Sequence, residues 1–154
     1  MPIKKRNKVA GRADANRPPE IGKRQVIEVS AGLIFRNGTI LITQRLANAH
    51  LGGLWEFPGG KRETGETFKQ CLARELREEL GIEVNVGELF EEITHVYADK
   101  SVRLKFFLCK LLEGEPQPLG CATVKWASKP ELADYNFPAA DARLLDKLRF
   151  YTFP

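Results

Sequence analysis

Residues 60–82 admit few local structures: Gly60-Lys-Arg-Glu-Thr-Gly-Glu66-Thr-Phe-Lys-Gln-Cys-Leu-Ala-Arg74-Glu75-Leu76-Arg77-Glu78-Glu79-Leu80-Gly81-Ile82. Leu72, Leu76 and Leu80 recur every four residues, which lays an apolar stripe along one side of a helix, and Gly81 stands where a helix ends in a left-handed residue. The spacing predicts a helix over Phe68–Leu80. At about 100° per residue, Glu75, Glu78 and Glu79 fall within an arc of roughly 100° beside that stripe. Like charges so close destabilise a helix unless something positive sits among them. Two answers exist. Lys69, Arg74 and Arg77 are interleaved with the acids, as on an ordinary salt-bridged, solvated face. Alternatively, a hard divalent cation sits among the carboxylates. Magnesium is the natural choice, because it takes one or two carboxylates and completes its octahedron with water and phosphate oxygens. The glycines ahead of the helix let backbone approach a phosphate closely.

Strand patterns surround this helix. Val26, Ile27, Val29, Ala31, Leu33, Ile34 and Phe35 make one strand, Asn37-Gly38 is a hairpin dipeptide, and residues 39–45 form the partner. A loop over residues 46–54 leads to Trp55-Glu56-Phe57-Pro58-Gly59-Gly60, a short strand ended by proline and paired glycines. Beyond Gly81, residues 82–98, broken near Gly87, and 101–112 read as two long strands joined by Asp99-Lys100. Residues 113–120 form a loop and 121–126 a further strand. Pro130 suits a first helical position, giving a short helix over 130–135, and Leu144, Leu145 and Leu148 mark a second over 138–148. This order predicts an α+β domain, a mixed sheet between helices in α/β/α layers.

The chain has 154 residues, 43% of them hydrophobic, which is enough for the core of one domain. No run of about 18 apolar residues could span a bilayer, and the basic start Met-Pro-Ile-Lys-Lys-Arg lacks the apolar stretch of a secretory signal. A cytoplasmic protein is expected. Cys71, Cys109 and Cys121 are odd in number and lack CxxC spacing, so they read as reduced, mostly buried residues rather than a disulfide framework or zinc site. The net charge of +4 is uneven. Residues 1–25 carry eight Lys/Arg and two acids, net +6, leaving 16 bases and 18 acids, net −2, in residues 26–154. The expected organisation is a mobile basic tail over 1–25 and one domain over 26–154. For the tail, a solvated extension is favoured over contact with RNA or acidic lipid.

The 23-residue string matches the Nudix box at every specified position: Gly60, five residues, Glu66, seven residues, Arg74-Glu75-Leu76, one residue, Glu78-Glu79, one residue, Gly81-Ile82. Chance agreement is below about one in a hundred million. The chain resembles Nudix hydrolases of the MutT type over residues 29–148. The likeness includes Thr43-Gln44-Arg45, Ala49-His50, Trp55 through Lys61, Glu113-Gly114-Glu115-Pro116 and Phe137-Pro138-Ala139-Ala140-Asp141.

The resemblance implies a Nudix fold and a pyrophosphohydrolase that converts a nucleoside triphosphate and water to the monophosphate and pyrophosphate. Removal of oxidised purine nucleotides such as 8-oxo-dGTP is the expected task. It further implies Mg2+, with Mn2+ able to stand in, held by Glu75, Glu78, Glu79 and the main-chain carbonyl of Gly59. Glu66 would shape the metal site and Arg74 would orient the glutamates. On the substrate, Gly60 would admit the phosphates closely, Lys61 or Arg62 would take phosphate charge, and Arg45, Phe57 and Asp141 match base-contacting positions, with Phe137 nearby. Core packing is the plain alternative for Phe57 and Phe137, and a favourable charge at a helix start is that for Asp141. His50 and His95 are isolated and read as structural.

Two departures stand out. Where MutT-type enzymes carry a further glutamate after Glu-Gly-Glu-Pro, this chain has Gly120, so either Glu115, Glu91, Glu92 or another acid substitutes, or deprotonation falls to the helix glutamates and the metal alone. Where the guanine-selective bacterial enzyme has an amide, this chain has Asp141, which when ionised only accepts hydrogen bonds. Guanine, oxidised guanine and cytosine nucleotides all stay open. A CTP-type or RNA 5′-triphosphate pyrophosphohydrolase is the second enzyme reading, the basic tail then touching phosphates. A non-catalytic lesion-base recognition module is the reading from another class, because residues 51–60 also resemble the C-terminal domain of adenine glycosylases; the intact acid set argues against it. The expected partner is a nucleoside triphosphate, with no membrane, no nucleic acid except through the tail, and a monomer or homodimer.

Overall fold

The apolar run beginning at residue 25 forms β1 (Gln25–Arg36). Asn37 and Gly38 follow with φ of 50° and 76°, the pair of positive values that closes a two-residue hairpin onto β2 (Thr39–Gln44). The structure is a computed structural model that describes residues 25–154. The expected basic tail lies, but for Gln25, outside the described residues.

Pro58 divides the next segment, because proline cannot donate to a ladder. Before it, β3 (Trp55–Glu56) pairs with β2; after it, β4 (Gly59–Lys61) pairs with β1. Helix α1 (Phe68–Leu80) has the predicted bounds. Thr67 and Gln70 form a reciprocal capping box at its start, and Gly81, at φ 67°, closes its end with an N–H bonded to the Arg77 carbonyl. Then come β5 (Glu83–Val96), β6 (Lys100–Glu113) and β7 (Thr123–Ser128).

Three expectations are corrected here. The strand does not break at Gly87: register shifts between Val86 and Leu89 and between Leu89 and Glu91 absorb the irregularity as bulges, and pairing with β6 continues. The segment after Pro130 is a 3-10 helix, Pro130–Asp134, too short and too loosely capped to become α-helical. The last helix starts as a 3-10 turn, Ala139–Asp141, and becomes α2 only over Ala142–Leu148.

The strands join in the order β3-β2-β1-β6-β5, with β4 also on β1 and β7 also on β2; among the described strands only β1 and β6 run parallel. A parallel pair needs a long crossover, and α1 lies within it. Side chains alternate across the sheet. Ile34, Leu41 and Phe107 pack with Leu72, Leu76 and Leu80 of α1, while Leu33, Ile40 and Phe106 pack with Leu144 and Leu148 of α2 on the opposite face. The expected layers are therefore present. Ser30 Oγ donates to the Phe68 carbonyl at 2.7 Å, pinning the start of α1 to β1. All three cysteines are free, and burial pushes the Cys71 and Cys109 thiols up to about 11 and about 12.

Candidate active site

Sinking the leucine stripe of α1 into the core leaves its glutamates at the rim, beside β4. There the backbone comes close. A Cβ added to Gly59 would strike the Ser30 carbonyl of β1, and one added to Gly60 would occupy the space of the Glu75 carboxylate. The two glycines thus allow strand pairing on one side and an acid against bare backbone on the other. Above them opens a cleft of about 500 Å³. Gly59, Gly60, Lys61, Glu75, Glu79 and Gly120 line it, as do Arg45, Glu56, Phe57 and Asp141.

Arg74 organises the acids. Its Nε and Nη2 donate to the two oxygens of Glu66 at 3.0 and 2.7 Å, its Nη1 to Glu75 at 3.0 Å and Glu78 at 3.2 Å, and Nη2 also to the Lys61 carbonyl at 3.2 Å. A guanidinium has five donors in a fixed fork, and here they are spread over three carboxylates. The hydrogen bonds from Arg74, helped by the Glu63 backbone N–H, hold Glu66 down to about 2. Glu75 and Glu79 move the other way. Burial raises both carboxyls, Arg74 partly offsets this for Glu75, and the negative charges of Glu56 and Glu78 add to it at Glu79.

Glu75 and Glu79 therefore face the cleft as half-buried acids, whereas Glu78, its side chain 57% exposed, is turned to Arg74 in an i,i+4 pair. Among the described residues, no three His, Cys, Asp or Glu side chains gather round one point tightly enough to hold an ion as they stand. The donor chemistry nonetheless suits a hard cation. The acids near β4 offer oxygen only, their charge is raised in energy by burial, and the Gly60 cradle brings Glu75 against the backbone.

The other part of the cleft is apolar with two acids. Phe57 is 4% exposed and stacks on Phe137, with centroids 5.2 Å apart and planes at 18°. Phe137 backs Phe57 rather than lining the cleft. Asp141 is 5% exposed and stands just before α2 without making a side-chain cap. Burial first, and the charge of Glu56 second, push its carboxyl up to about 7. A helix-start role does not account for that environment.

The NUDIX domain pattern matches residues 30–147. The chain belongs to the NUDIX family. It is 38% identical over 124 residues to the 8-oxo-dGTP diphosphatase of Escherichia coli (strain K12), covering 80% of this chain and 96% of that protein. It is 39% identical over 122 residues to the CTP pyrophosphohydrolase of the same strain, covering 79% and 90%. Among solved structures, that of the E. coli ORF135 protein superimposes with a TM-score of 0.72 at 37% identity, covering 84% of this chain and 92% of the other. As a NUDIX hydrolase it works with a divalent metal. No helix among the described residues is long and apolar enough to cross a membrane.

The acid inventory of this NUDIX hydrolase differs from the one the motifs indicate. Glu115 is bound by Arg36, Glu91 by Arg143 at 3.1 Å with Lys147 at 3.7 Å, and Glu92 by Arg103; none lines the cleft. Besides Glu75, Glu79 and Asp141, the acid that lines it is Glu56. Its carboxylate receives Arg45 Nη1 at 2.7 Å, while Arg45 Nε donates to the His50 carbonyl at 2.7 Å, so Arg45 ties the 46–54 loop to β3. Burial raises the Glu56 carboxyl, and Arg45 opposes the rise. A single acid between Trp55 and the buried Phe57 is the signal that could have found it. Of the two phosphate candidates, Lys61 lines the cleft, whereas Arg62 is held by Glu28 and the Glu66 carbonyl. His50 contributes through its carbonyl, and His95 packs its ring on Tyr97 at 4.6 Å.

Proposed function

We propose that this NUDIX hydrolase is a magnesium-dependent pyrophosphohydrolase that splits a nucleoside triphosphate into the monophosphate and pyrophosphate, with oxidised purines such as 8-oxo-dGTP as its preferred class. One observation carries the reading. The carboxylates of Glu75 and Glu79 lie against glycine backbone in a cleft whose other wall is the Phe57 ring and two base-side acids.

Glu75, Glu78, Glu79 and the Gly59 carbonyl would hold Mg2+, with Mn2+ able to replace it. Bound magnesium supplies neutralisation of the polyphosphate, polarisation of the attacked phosphorus and a lower pKa for the attacking water. Arg74 fixes the direction of Glu75 and Glu78, and Glu66 fixes Arg74. Lys61 takes phosphate charge, Gly60 leaves room for the Glu75 carboxylate against β4, and Phe57, backed by Phe137, gives the base an apolar face. Arg45 acts through Glu56, opposing the rise that burial causes in its carboxyl, and holds the 46–54 loop in position. The proton of the attacking water falls to a cleft carboxylate: Glu56, Glu75 and Glu79 are those in reach.

Asp141 selects the base. With its carboxyl near 7, both forms exist at neutral pH: ionised it accepts only, protonated it also donates. An acceptor suits the N–H edge of guanine or 8-oxoguanine. It suits the amino group of cytosine equally, so a CTP-type substrate is the second reading. We also take the protein to be cytoplasmic, a monomer or homodimer acting on free nucleotides.

The test is pyrophosphate against phosphate release with Mg2+ from 8-oxo-dGTP, dGTP, CTP, dCTP and a 5′-triphosphate RNA. Pyrophosphate from 8-oxo-dGTP at the highest kcat/KM is expected. A higher value for the cytosine nucleotides moves the assignment to the second reading, and no release from any triphosphate removes the enzyme reading.

A further inference from the structure

Gly120 lies against the Glu79 carboxylate. A Cβ built on it would overlap the Glu79 carboxylate outright: the farther oxygen, Oε1, would be only 2.9 Å away, and Oε2 and the carboxyl carbon closer still. Real Cβ atoms do not come within 3.0 Å of such neighbours, so a side chain at 120 forces either Glu79 or the backbone to move.

The backbone is tied down. The N–H groups of Leu119 and Gly120 both donate to the Glu79 carbonyl at 3.1 Å, that of Gln117 to the Leu80 carbonyl at 2.9 Å, and that of Ala122 to the Gln44 carbonyl of β2 at 2.9 Å. These bonds satisfy carbonyls that the C-terminus of α1 would otherwise leave open. At the start of the segment, Arg36 grips Glu115 with both terminal nitrogens, at 2.8 and 3.1 Å, while lying 4.1 Å over the Trp126 ring. One stretch of chain thus meets Glu79 at both ends, its carbonyl through two N–H donors and its carboxylate on the side of Gly120 where a Cβ would stand.

We propose that Gly120 is a positioning residue for the hydrolysis: the missing side chain, on a segment anchored to α1, directs the Glu79 carboxylate into the cleft. The further glutamate that the resemblance places at this position would require Glu79 to take another rotamer. The chain aims an acid it already has.

The inference rests on the metal-dependent reading of the cleft, and its test separates the two. Gly120→Ala, Glu79→Asp and the double variant are made in the full chain. Each is assayed for kcat and KM on the triphosphate at saturating Mg2+, and for Mn2+ binding by the electron paramagnetic resonance signal of the free ion. Gly120→Ala is expected to lose about ten- to a hundredfold in kcat, the scale of an ångström-sized misplacement, with KM for the nucleotide little changed. Its Mn2+ binding weakens severalfold.

Glu79→Asp draws the carboxylate back by one methylene, so it is harmful alone and partly restorative when combined with Gly120→Ala; the two losses do not multiply. Should Gly120→Ala fail to fold, recovery of the fold in the double variant is the same result read through stability. Wild-type kcat and Mn2+ affinity in Gly120→Ala, multiplicative losses in the double variant, or failure of both to fold overturns the proposal. If the wild-type protein hydrolyses no triphosphate, the proposed function fails, and the Mn2+ measurements still decide whether Gly120 directs Glu79.

Discussion

Glu79→Gln is expected to lose at least about a hundredfold in kcat while remaining folded, the range seen when a key electrostatic group is removed from an active site. Glutamine keeps the volume and one oxygen, so the carboxylate's place beside Gly120 stays filled. What disappears is the charge, and Glu79 holds that charge at a cost, because burial and the nearby Glu56 and Glu78 all push its carboxyl upward. Removing it leaves thermal stability equal or slightly higher. A steep fall in rate without a fall in stability separates a working acid from a structural one. An unaltered rate in a folded variant means that the wrong acids have been assigned.

The second large effect belongs to Arg74. Arg74→Ala is expected to cost about a hundredfold in rate by letting the glutamates swing, and to lower stability by stranding charged partners, as read from urea unfolding. Arg74→Lys should recover little, because one ammonium cannot serve Glu66, Glu75 and Glu78 together as the forked guanidinium does. The pH dependence has a definite sign. Glu66, held down to about 2 by Arg74, adds stability above the ordinary glutamate pKa and loses it as pH falls through the folded value. The stability gap between wild type and Arg74→Ala therefore narrows from about pH 4.5 towards pH 2. A gap constant across that window would show that the pair does not hold Glu66 ionised.

Local signals carried much of the fold. Helix α1 was legible to the residue because its leucine spacing and Gly81 agree, and the Asn37-Gly38 turn because that dipeptide tolerates the positive φ values a tight hairpin needs. The bulged course of β5 was not legible, since a glycine in a strand pattern signals irregularity without saying whether pairing resumes. Nor were the 3-10 turns after Pro130 and Pro138, where short segments lack a period.

The same division runs through the site. Helical geometry puts Glu75, Glu78 and Glu79 on one face. Which of them Arg74 draws outward depends on where β4 and Glu66 lie, and that is long-range information. Glu56 sits on a strand of two residues, too short for any pattern, and its importance comes from Arg45, Asp141 and Glu79 brought in from three other elements. Gly120 reads as one more loop glycine until the Glu79 carboxylate is found against it.

The most direct measurement is a crystal structure of the protein with Mg2+ and a non-hydrolysable triphosphate analogue. Oxygens of Glu75, Glu78 and Glu79, together with the Gly59 carbonyl, are expected to surround the ion at about 2.0–2.1 Å, with Glu78 turned away from Arg74 and phosphate oxygens completing the shell. Those carboxylates remaining on Arg74 and its neighbours, with the ion bound elsewhere, would contradict the reading at its root.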